Sequence, residues 1–472
     1  MRRSWLGPLV GLYGVLALAL LARLFFGSLT GLLAGQVPGV GSDFLALSVG
    51  GELVREGNGG RLFDLTAQSG AQQIVLSRPG WPPGGQSLAL YLYPPFVAAA
   101  FAALDGLPPA LAFGLWGCVN LLALLATLWA VGRGGGSRRG LVYLMWAALA
   151  FLPAWTVLFR GQLSFLVMAA LAGCYLALSK GNDGIAGVCL AAALVKPQLA
   201  AVPALALLMA RRPRAVLGFA LGAILLVAAS LAVVGPAGVA SYCRLLAWVG
   251  QDTSIDSLVH PAYMYNWRGT IVRVLALLDP AGAPFALAAA LYGLLALATL
   301  ALLWQAWRGL RRPTERQLAG LWALTILSGM LISPHLHAYD LALWLLAGAL
   351  IARFFGVGTA TSGSGAVSAG EARAKVRAEG EASRSGVPLG LLPCGLPRAW
   401  QGLLLAAHAL PTVLAALPIG QEWSAQIGAG CTLALAAALW HAMKREDMGS
   451  EGTQGHALVH DSACEAAYAG WE

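Results

Sequence analysis

Apolar runs of lipid-crossing length recur along the whole of this chain, and they limit its folds more than any other feature. They cover Leu6–Gly27, Ala110–Val131, Leu141–Leu158, Leu163–Leu178, Ala215–Val234, Phe285–Trp307, Leu318–Ile332, Ala338–Ile351, Trp400–Leu417 and Ile427–Ala442. A helix needs roughly 20 apolar residues to cross about 30 Å of hydrocarbon. A further run, Ile185–Ala210, is interrupted by Lys196-Pro197 and reads as two short helices. With 58% apolar and 11% charged residues and a mean hydropathy of +0.71, a soluble core would not absorb this much apolar surface. The expected fold is an all-α polytopic membrane protein of about 12 transmembrane helices. Met1-Arg2-Arg3 and the run after it are read as a retained first helix, because no small-x-small cleavage site follows.

The charges orient these spans. With the N-terminus in the cytoplasm, 21 of the 30 basic residues fall on the cytoplasmic side. Seven fall outside: Arg55, Arg61, Arg78, Arg160, Arg244, Arg268 and Arg273. Arg23 and Lys196 lie in apolar surroundings. This bias is what the positive-inside rule demands. The net charge of +9 therefore describes membrane orientation and gives no reason to expect nucleic acid. Both termini are expected in the cytoplasm of a cell membrane, a bacterial inner membrane by preference. Only Cys243 among the seven cysteines lands in an outer loop, so no disulfide framework or metal-ligand spacing follows.

Four regions are expected. Residues 1–355 form the main membrane domain, 356–397 a flexible Gly/Ser/Ala-rich cytoplasmic linker, 398–443 a final helix pair and 444–472 a disordered cytoplasmic tail. A large first outer loop runs from Asp43 to about Gln86, with Ser42 a candidate cap for a helix whose Phe44, Leu45, Val49, Leu53 and Val54 lie against the membrane. The apolar stretch after Tyr93-Pro94-Pro95 is too short to span and reads as an interfacial or re-entrant helix. Gly235–Arg273 reads as a second large outer loop.

Polar groups from separate segments share the outer ends of the helices: Asp43, Arg160-Gly161-Gln162, Lys196-Pro197-Gln198, Asn266-Trp267-Arg268 and Ser333-Pro334-His335-Leu336-His337-Ala338-Tyr339-Asp340. Ionisable groups at membrane depth are costly and usually face a polar cavity. Cations and a carboxylate at one level suit an anionic substrate and a group-transfer step. Each has a plainer reading. Asp43 also fits a helix N-terminal charge, Lys196 a snorkelling cation, Arg160 an interfacial anchor, and the His335, His337 and Asp340 group a structural cap. Asp105 and Asn120 are read as structural, and Trp267 as the better candidate among the tryptophans for stacking on a sugar. No Walker motif, dinucleotide fingerprint, Asp-x-Asp triplet, GxSxG or HExxH occurs. No cofactor or metal is expected, and a transferred group must arrive already activated.

In order along the chain, Gly41-Ser42-Asp43-Phe44, Gly60-Arg61-Leu62-Phe63-Asp64, Tyr93-Pro94-Pro95, Gly161-Gln162, Lys196-Pro197-Gln198, Asn266 with Arg273, and Ser333-Pro334 with Tyr339-Asp340 resemble the motifs of glycosyltransferase family 87. Phe63 stands where that family usually has tyrosine. The resemblance covers roughly residues 1–355. It implies a type C glycosyltransferase-like bundle and a sugar donor on polyprenyl phosphate, most often mannose. It also implies a glycolipid or glycan acceptor, and an active site facing away from the cytoplasm. Asp43 then matches the family's proposed base. Arg160, Lys196 and Arg268 are candidates for the leaving phosphate. Gln162, Gln198, Asn266, Trp267, His335, His337, Tyr339 and Asp340 complete the expected substrate-binding set. Two rivals remain at this point: a secondary transporter, for which the Lys196-Pro197 break is also apt, and an inactive envelope-assembly scaffold.

Overall fold

The computed structural model describes residues 41–79, 81, 88–133, 138–252, 259–278, 284–310, 313–356, 400, 404 and 421–450. The expected first span Leu6–Gly27, the linker, Trp400–Leu417 and the tail lie wholly or largely outside them. The described part is helical throughout, with no strand among the described residues. In chain order the helices are α1 (Ser42–Arg55), α2 (Leu65–Ser77), α3 (Pro95–Asp105), α4 (Pro109–Arg133), α5 (Arg138–Leu149), α6 (Leu152–Arg160) and α7 (Ser164–Ser179). Then follow α8 (Asp183–Ala191), α9 (Pro197–Met209), α10 (Pro213–Gln251), α11 (Trp267–Leu278), α12 (Phe285–Gly309), α13 (Glu315–Ile332), α14 (Leu343–Phe354) and α15 (Gln421–Ser450).

Several chain segments depart from the sequence expectation, and interrupted backbone accounts for most of the difference. Among the described residues four helices are long and apolar enough to cross a membrane: α4, α10, α12 and the Ala425–Lys444 part of α15. The bent pair α6–α7, folded by 119°, adds a fifth if it counts as one span. The run Leu141–Leu158 breaks between α5 and α6, where Phe151 is extended and Pro153 sits in the first turn of α6. Ile185–Ala210 is broken as expected, into α8, a 3₁₀ turn Ala192–Val195 and α9. The outer loop expected from Gly235 is instead the continuation of α10. Gly235 adopts φ 65°, which glycine tolerates, and Pro236 restarts the helix as far as Gln251.

Residues 44–53 of α1 are almost wholly buried in protein, Phe44, Leu45 and Val49 included, so this helix does not lie against lipid. Its cover is α3, the short apolar helix after Tyr93-Pro94-Pro95, which also packs on α10. Ser42 is the first helical residue of α1 and does not cap it; the preceding Gly41, at φ 70°, holds the cap position.

Most of the burial falls into two clusters, beside a small third one of Ile271, Leu275 and Ala288 between α11 and α12. One is built on α1 and α3 with Phe63, Tyr91 and Trp116. The larger one is built on α7, α9, α13 and α14 around Trp322, whose indole donates to the Leu171 carbonyl at 3.0 Å. Where α8 crosses α10, a Cβ on Gly187 would run into the Ala215 carbonyl, so only a small residue permits the crossing. By contrast, Leu217, Leu221, Ile224 and Leu225 on the opposite side of α10 stay exposed, as a lipid-facing surface requires.

Four charges tie α1, α2 and α3 together. Arg78, at the end of α2, meets Glu52 at 2.6 Å and Asp105 at 2.7 Å, and Arg55 meets the same two carboxylates at 2.7 and 3.1 Å. Both carboxylates are buried. Asp105 thus has a structural role, as expected. Removing one partner of a buried pair leaves an uncompensated charge. Arg78→Ala should therefore destabilise the protein by about 3 kcal/mol, read as a lowered unfolding midpoint in detergent. An unchanged midpoint would mean that Arg55 and water suffice for both carboxylates.

Candidate functional site

The candidate site lies at the seam between the two cores. Asp43 comes from the α1 side, while Lys196, Tyr339 and Asp340 belong to elements of the larger core. The juxtaposition begins at backbone level. The N–H of Gly41 donates to the Phe159 carbonyl at 2.7 Å, clamping the start of α1 to the end of α6. Gly161 ends α6 in the left-handed region, φ 75°, and its carbonyl accepts from the Trp116 indole at 2.8 Å. A Cβ there would also lie 2.7 Å from Phe44 Cβ, so both backbone angle and space call for glycine. Asp43 in the first turn of α1 and Arg160 in the last turn of α6 are thereby brought together.

Arg160 Nε lies 3.1 Å from Asp43 Oδ2, but its hydrogen bond goes to Ser42 Oγ, also at 3.1 Å. Oδ2 is left with charge proximity and no aligned donor. A quarter of the Asp43 side chain is accessible, at 25%, yet protein atoms crowd it on most sides. Desolvation raises the carboxyl above its ordinary value, and Arg160, Gln162 and Lys196 oppose that rise. Gln162 is itself oriented: its Oε1 accepts from the Tyr93 hydroxyl at 3.1 Å and from the Leu163 N–H at 3.3 Å. That leaves its amide nitrogen to serve Asp43.

Beneath this layer is a buried ion pair. Lys196 Nζ donates to Asp340 Oδ1 at 2.7 Å and to Ser164 Oγ at 3.0 Å, and the Ser164 hydroxyl donates to the same Oδ1 at 2.7 Å. Lys196 and Asp340 are 3% and 0% exposed, so neither charge has water to fall back on. The chain supplies the lysine at its helix break: Pro197 cannot donate, and Lys196 turns to φ −132°, ψ 82° before α9 begins. Asp340 comes from the 3₁₀ turn Ala338–Ala342, where its Oδ2 also accepts from the His337 N–H at 3.3 Å. Tyr339 presents its ring to Lys196 Nζ at 4.5 Å and to the Arg160 guanidinium at 5.8 Å.

His335 and His337 stand edge to face, 4.6 Å between ring centroids. Burial and the positive charges of Lys196 and Arg268 push His335 down to about 3, and burial with the neighbouring His335 pushes His337 well below the usual histidine range. In both rings burial favours the neutral form. His335 Nδ1 is buried without a hydrogen-bond partner.

The fold thus brings Asp43, Arg160, Gln162, Lys196, His335, His337, Tyr339 and Asp340 into one electrostatically coupled cluster. The others make different contacts, Arg268 at the border of the cluster beside His335. Arg268 spends its guanidinium on the carbonyls of Val249, Asp252 and Pro334, at 2.7, 2.6 and 3.2 Å. Asn266 receives the Gly269 N–H at 2.8 Å and donates to the Ser333 carbonyl at 2.7 Å, fixing the start of α11. The Trp267 indole donates to Thr299 on α12 at 3.1 Å. Gln198 sits half-buried in the first turn of α9, one residue beyond Pro197. Two members of the cluster go beyond the sequence-based set. Tyr93 was visible as part of a motif, but nothing in the chain points to its Gln162 partner. Ser164, as the first residue of a helix after Gly161-Gln162, had only its position at the same helix end as a signal. Among the described residues, no group of three or more His, Cys, Asp or Glu side chains is arranged to hold a metal ion.

The constellation sets an under-coordinated carboxylate beside a part-exposed guanidinium, next to a buried, neutralised ion pair. The sequence profile of glycosyltransferase family 87 matches residues 91–334, just over half of the chain, and the protein belongs to that family. No curated protein and no solved structure matches it. The matched interval contains Tyr93, Arg160, Gln162, Ser164 and Lys196; Asp43 precedes it, and His335 to Asp340 follow it.

Lys196→Ala alone should strand Asp340 and cost about 3–5 kcal/mol of stability. Lys196→Met combined with Asp340→Leu should recover much of that loss. A double-mutant cycle on unfolding should return a coupling of about 1–3 kcal/mol; additive losses would contradict a direct pair.

Proposed function

We propose that this chain transfers a hexose, mannose foremost, from a polyprenyl-phosphate donor to a glycolipid or glycan acceptor on the non-cytoplasmic side of a cell membrane. Asp43 is the base. The observation that carries this reading is that Asp43 Oδ2 has no aligned donor though Arg160 Nε lies 3.1 Å away, with desolvation raising the carboxyl and Arg160, Gln162 and Lys196 opposing that rise. A general base needs a pKa moved toward the working pH and a lone pair free to take a proton.

In the proposed step the acceptor hydroxyl gives its proton to Asp43 as its oxygen bonds to the anomeric carbon. The bond from that carbon to the lipid phosphate oxygen breaks, and direct displacement inverts the anomeric configuration. Charge gathers on the departing phosphate, where a preplaced cation stabilises it. Of the three cations suggested by sequence, Arg160 is the one suited to the task. Its side chain is 42% exposed and half committed, whereas Lys196 is neutralised by Asp340 and Arg268 is buried and engaged by three carbonyls. The two act in sequence: a phosphate that draws Arg160 away from Asp43 removes a charge that holds the carboxyl down, so donor binding strengthens the base. His335 and His337, whose burial favours the neutral form, suit hydrogen bonds to sugar hydroxyls or proton handling. The finer architecture belongs to the same proposal: about 12 spans in a type C arrangement, a main domain over 1–355, and a linker and final helix pair beyond it.

Convergence of the polar groups at one seam supports an enzyme over a scaffold with scattered polar residues, and family membership supports it over a transporter. Membranes carrying Asp43→Asn, at equal insertion, should transfer labelled mannose from polyprenyl-phosphate-mannose about 10²–10⁴-fold more slowly than wild type. Full activity in that variant would remove Asp43 from the mechanism. The pH profile offers an independent check. Transfer requires ionised Asp43, so activity should fall as pH drops through its raised pKa. Arg160 lowers that pKa, so Arg160→Gln should move the acid limb to higher pH as well as reduce the plateau. A limb left in place would separate Arg160 from the base.

A further inference from the structure

Far from the Asp43 cluster, a cavity of about 450 Å³ opens between the ends of α12 and α15. Trp304, Gln305, Arg308, Trp440, Met443 and Lys444 supply most of its side-chain lining. We propose that it binds the headgroup of an anionic phospholipid. The site does not enter the proposed transfer chemistry and stands independently of it.

Depth is the first support. α12 and the Ala425–Lys444 part of α15 are both long and apolar enough to span, and each reaches its cation at the end of its apolar length: Arg308 in the last turn of α12, Lys444 closing the apolar stretch of α15. Paired tryptophans at such an end mark the headgroup level. Trp304 is 45% exposed, and Lys444 Nζ sits 4.8 Å above the Trp440 ring, which steadies the ammonium at the cavity's lining.

Charge is the second support. Among the described residues no carboxylate lines the cavity, and the ion pairs involve other cations. Two like charges from segments far apart in sequence facing one recess repel each other, and an anion between them removes that repulsion. A helix C-terminus explains Arg308, in the last turn of α12, but not Lys444, six residues before the end of α15, nor the convergence of the two on one recess. The sequence directly beyond α12 adds Arg311 and Arg312, the juxtamembrane basic composition that attracts anionic lipid. Gln305 offers an amide donor for a glycerol or phosphate oxygen. The contrast with the second recess is direct: at about 330 Å³ it is lined by alanine, leucine, valine and phenylalanine alone and has nothing with which to hold a headgroup.

The test uses the full chain in nanodiscs of phosphatidylcholine doped with phosphatidylglycerol, followed by release and native mass spectrometry of retained lipid. Wild type should retain phosphatidylglycerol over phosphatidylcholine by at least about fivefold, a preference of about 1 kcal/mol in total. Arg308→Gln with Lys444→Gln should bring the preference below about twofold, whereas the charge-preserving pair Arg308→Lys with Lys444→Arg should keep it. Should the double neutralisation prevent folding, Lys444→Gln alone should show a partial loss. Equal retention of both lipids by wild type, or an undiminished preference in the neutralised protein, overturns the proposal. So does displacement of the bound lipid by millimolar inorganic phosphate, which would identify a free-anion site. Sugar transfer measured on the same variants should be retained, so failure here is distinguishable from failure of the enzymatic reading.

Discussion

The Lys196–Asp340 ion pair is the interaction on which the site depends. Two full charges held almost free of water survive only when each supplies the other's counter-charge and the remaining bonding positions are filled. Ser164 and the His337 N–H fill them. The pair joins a broken helix, the start of α7 and a 3₁₀ turn, segments remote in sequence, and positions the Tyr339 ring between itself and Arg160. An apolar substitute would pack these elements equally well. It would not supply the local field in which Asp43 keeps its balance between desolvation, which favours the neutral acid, and nearby cations, which favour the carboxylate.

That balance reflects the site's position between two cores. An unpaired carboxylate within one core would be driven neutral, and one at an open surface would keep an ordinary pKa. At the seam, Asp43 is crowded but reachable, and Arg160 is tethered through Ser42 but half exposed. The arginine–carboxylate cluster of Glu52, Arg55, Arg78 and Asp105 contributes from a distance by locking α1 onto α2 and α3, which fixes where the first turn of α1 points. Tyr93 and Gln162 complete the positioning. A hydrogen-bonded chain of this kind restricts the carboxylate's rotamer without neutralising it.

Much of this was legible in the chain. The Lys196-Pro197 break follows from proline's missing donor and its steric effect on the preceding residue, and the structure has it there. The series of short motifs pointed to the family, and most of the polar residues at the expected helix ends do converge. The lipid-facing reading of α1 was not recoverable, because the apolar pattern of Phe44, Leu45, Val49 and Leu53 is the same whether lipid or α3 covers it. The extent of α10 was hidden for a similar reason: Gly235-Pro236 reads as a helix end, and only a partner such as α3 makes a kinked continuation worthwhile. Arg268, Asn266 and Trp267 carried the right chemistry in the right loop, but local geometry commits them to backbone carbonyls, to the start of α11 and to Thr299.

The sequence by itself determined the solvent of this protein, the helical class and the residue types available at one end of the helices. Those follow from composition, run length and proline chemistry, which are local properties. Which cation is free and which is neutralised was decided by tertiary structure. Arg160 and Lys196 look alike as cations at the outer ends of helices, and charge pairing depends on distances between segments some 144 residues apart. A pairing of that kind is set by how the two cores meet, and no periodicity in the chain encodes it.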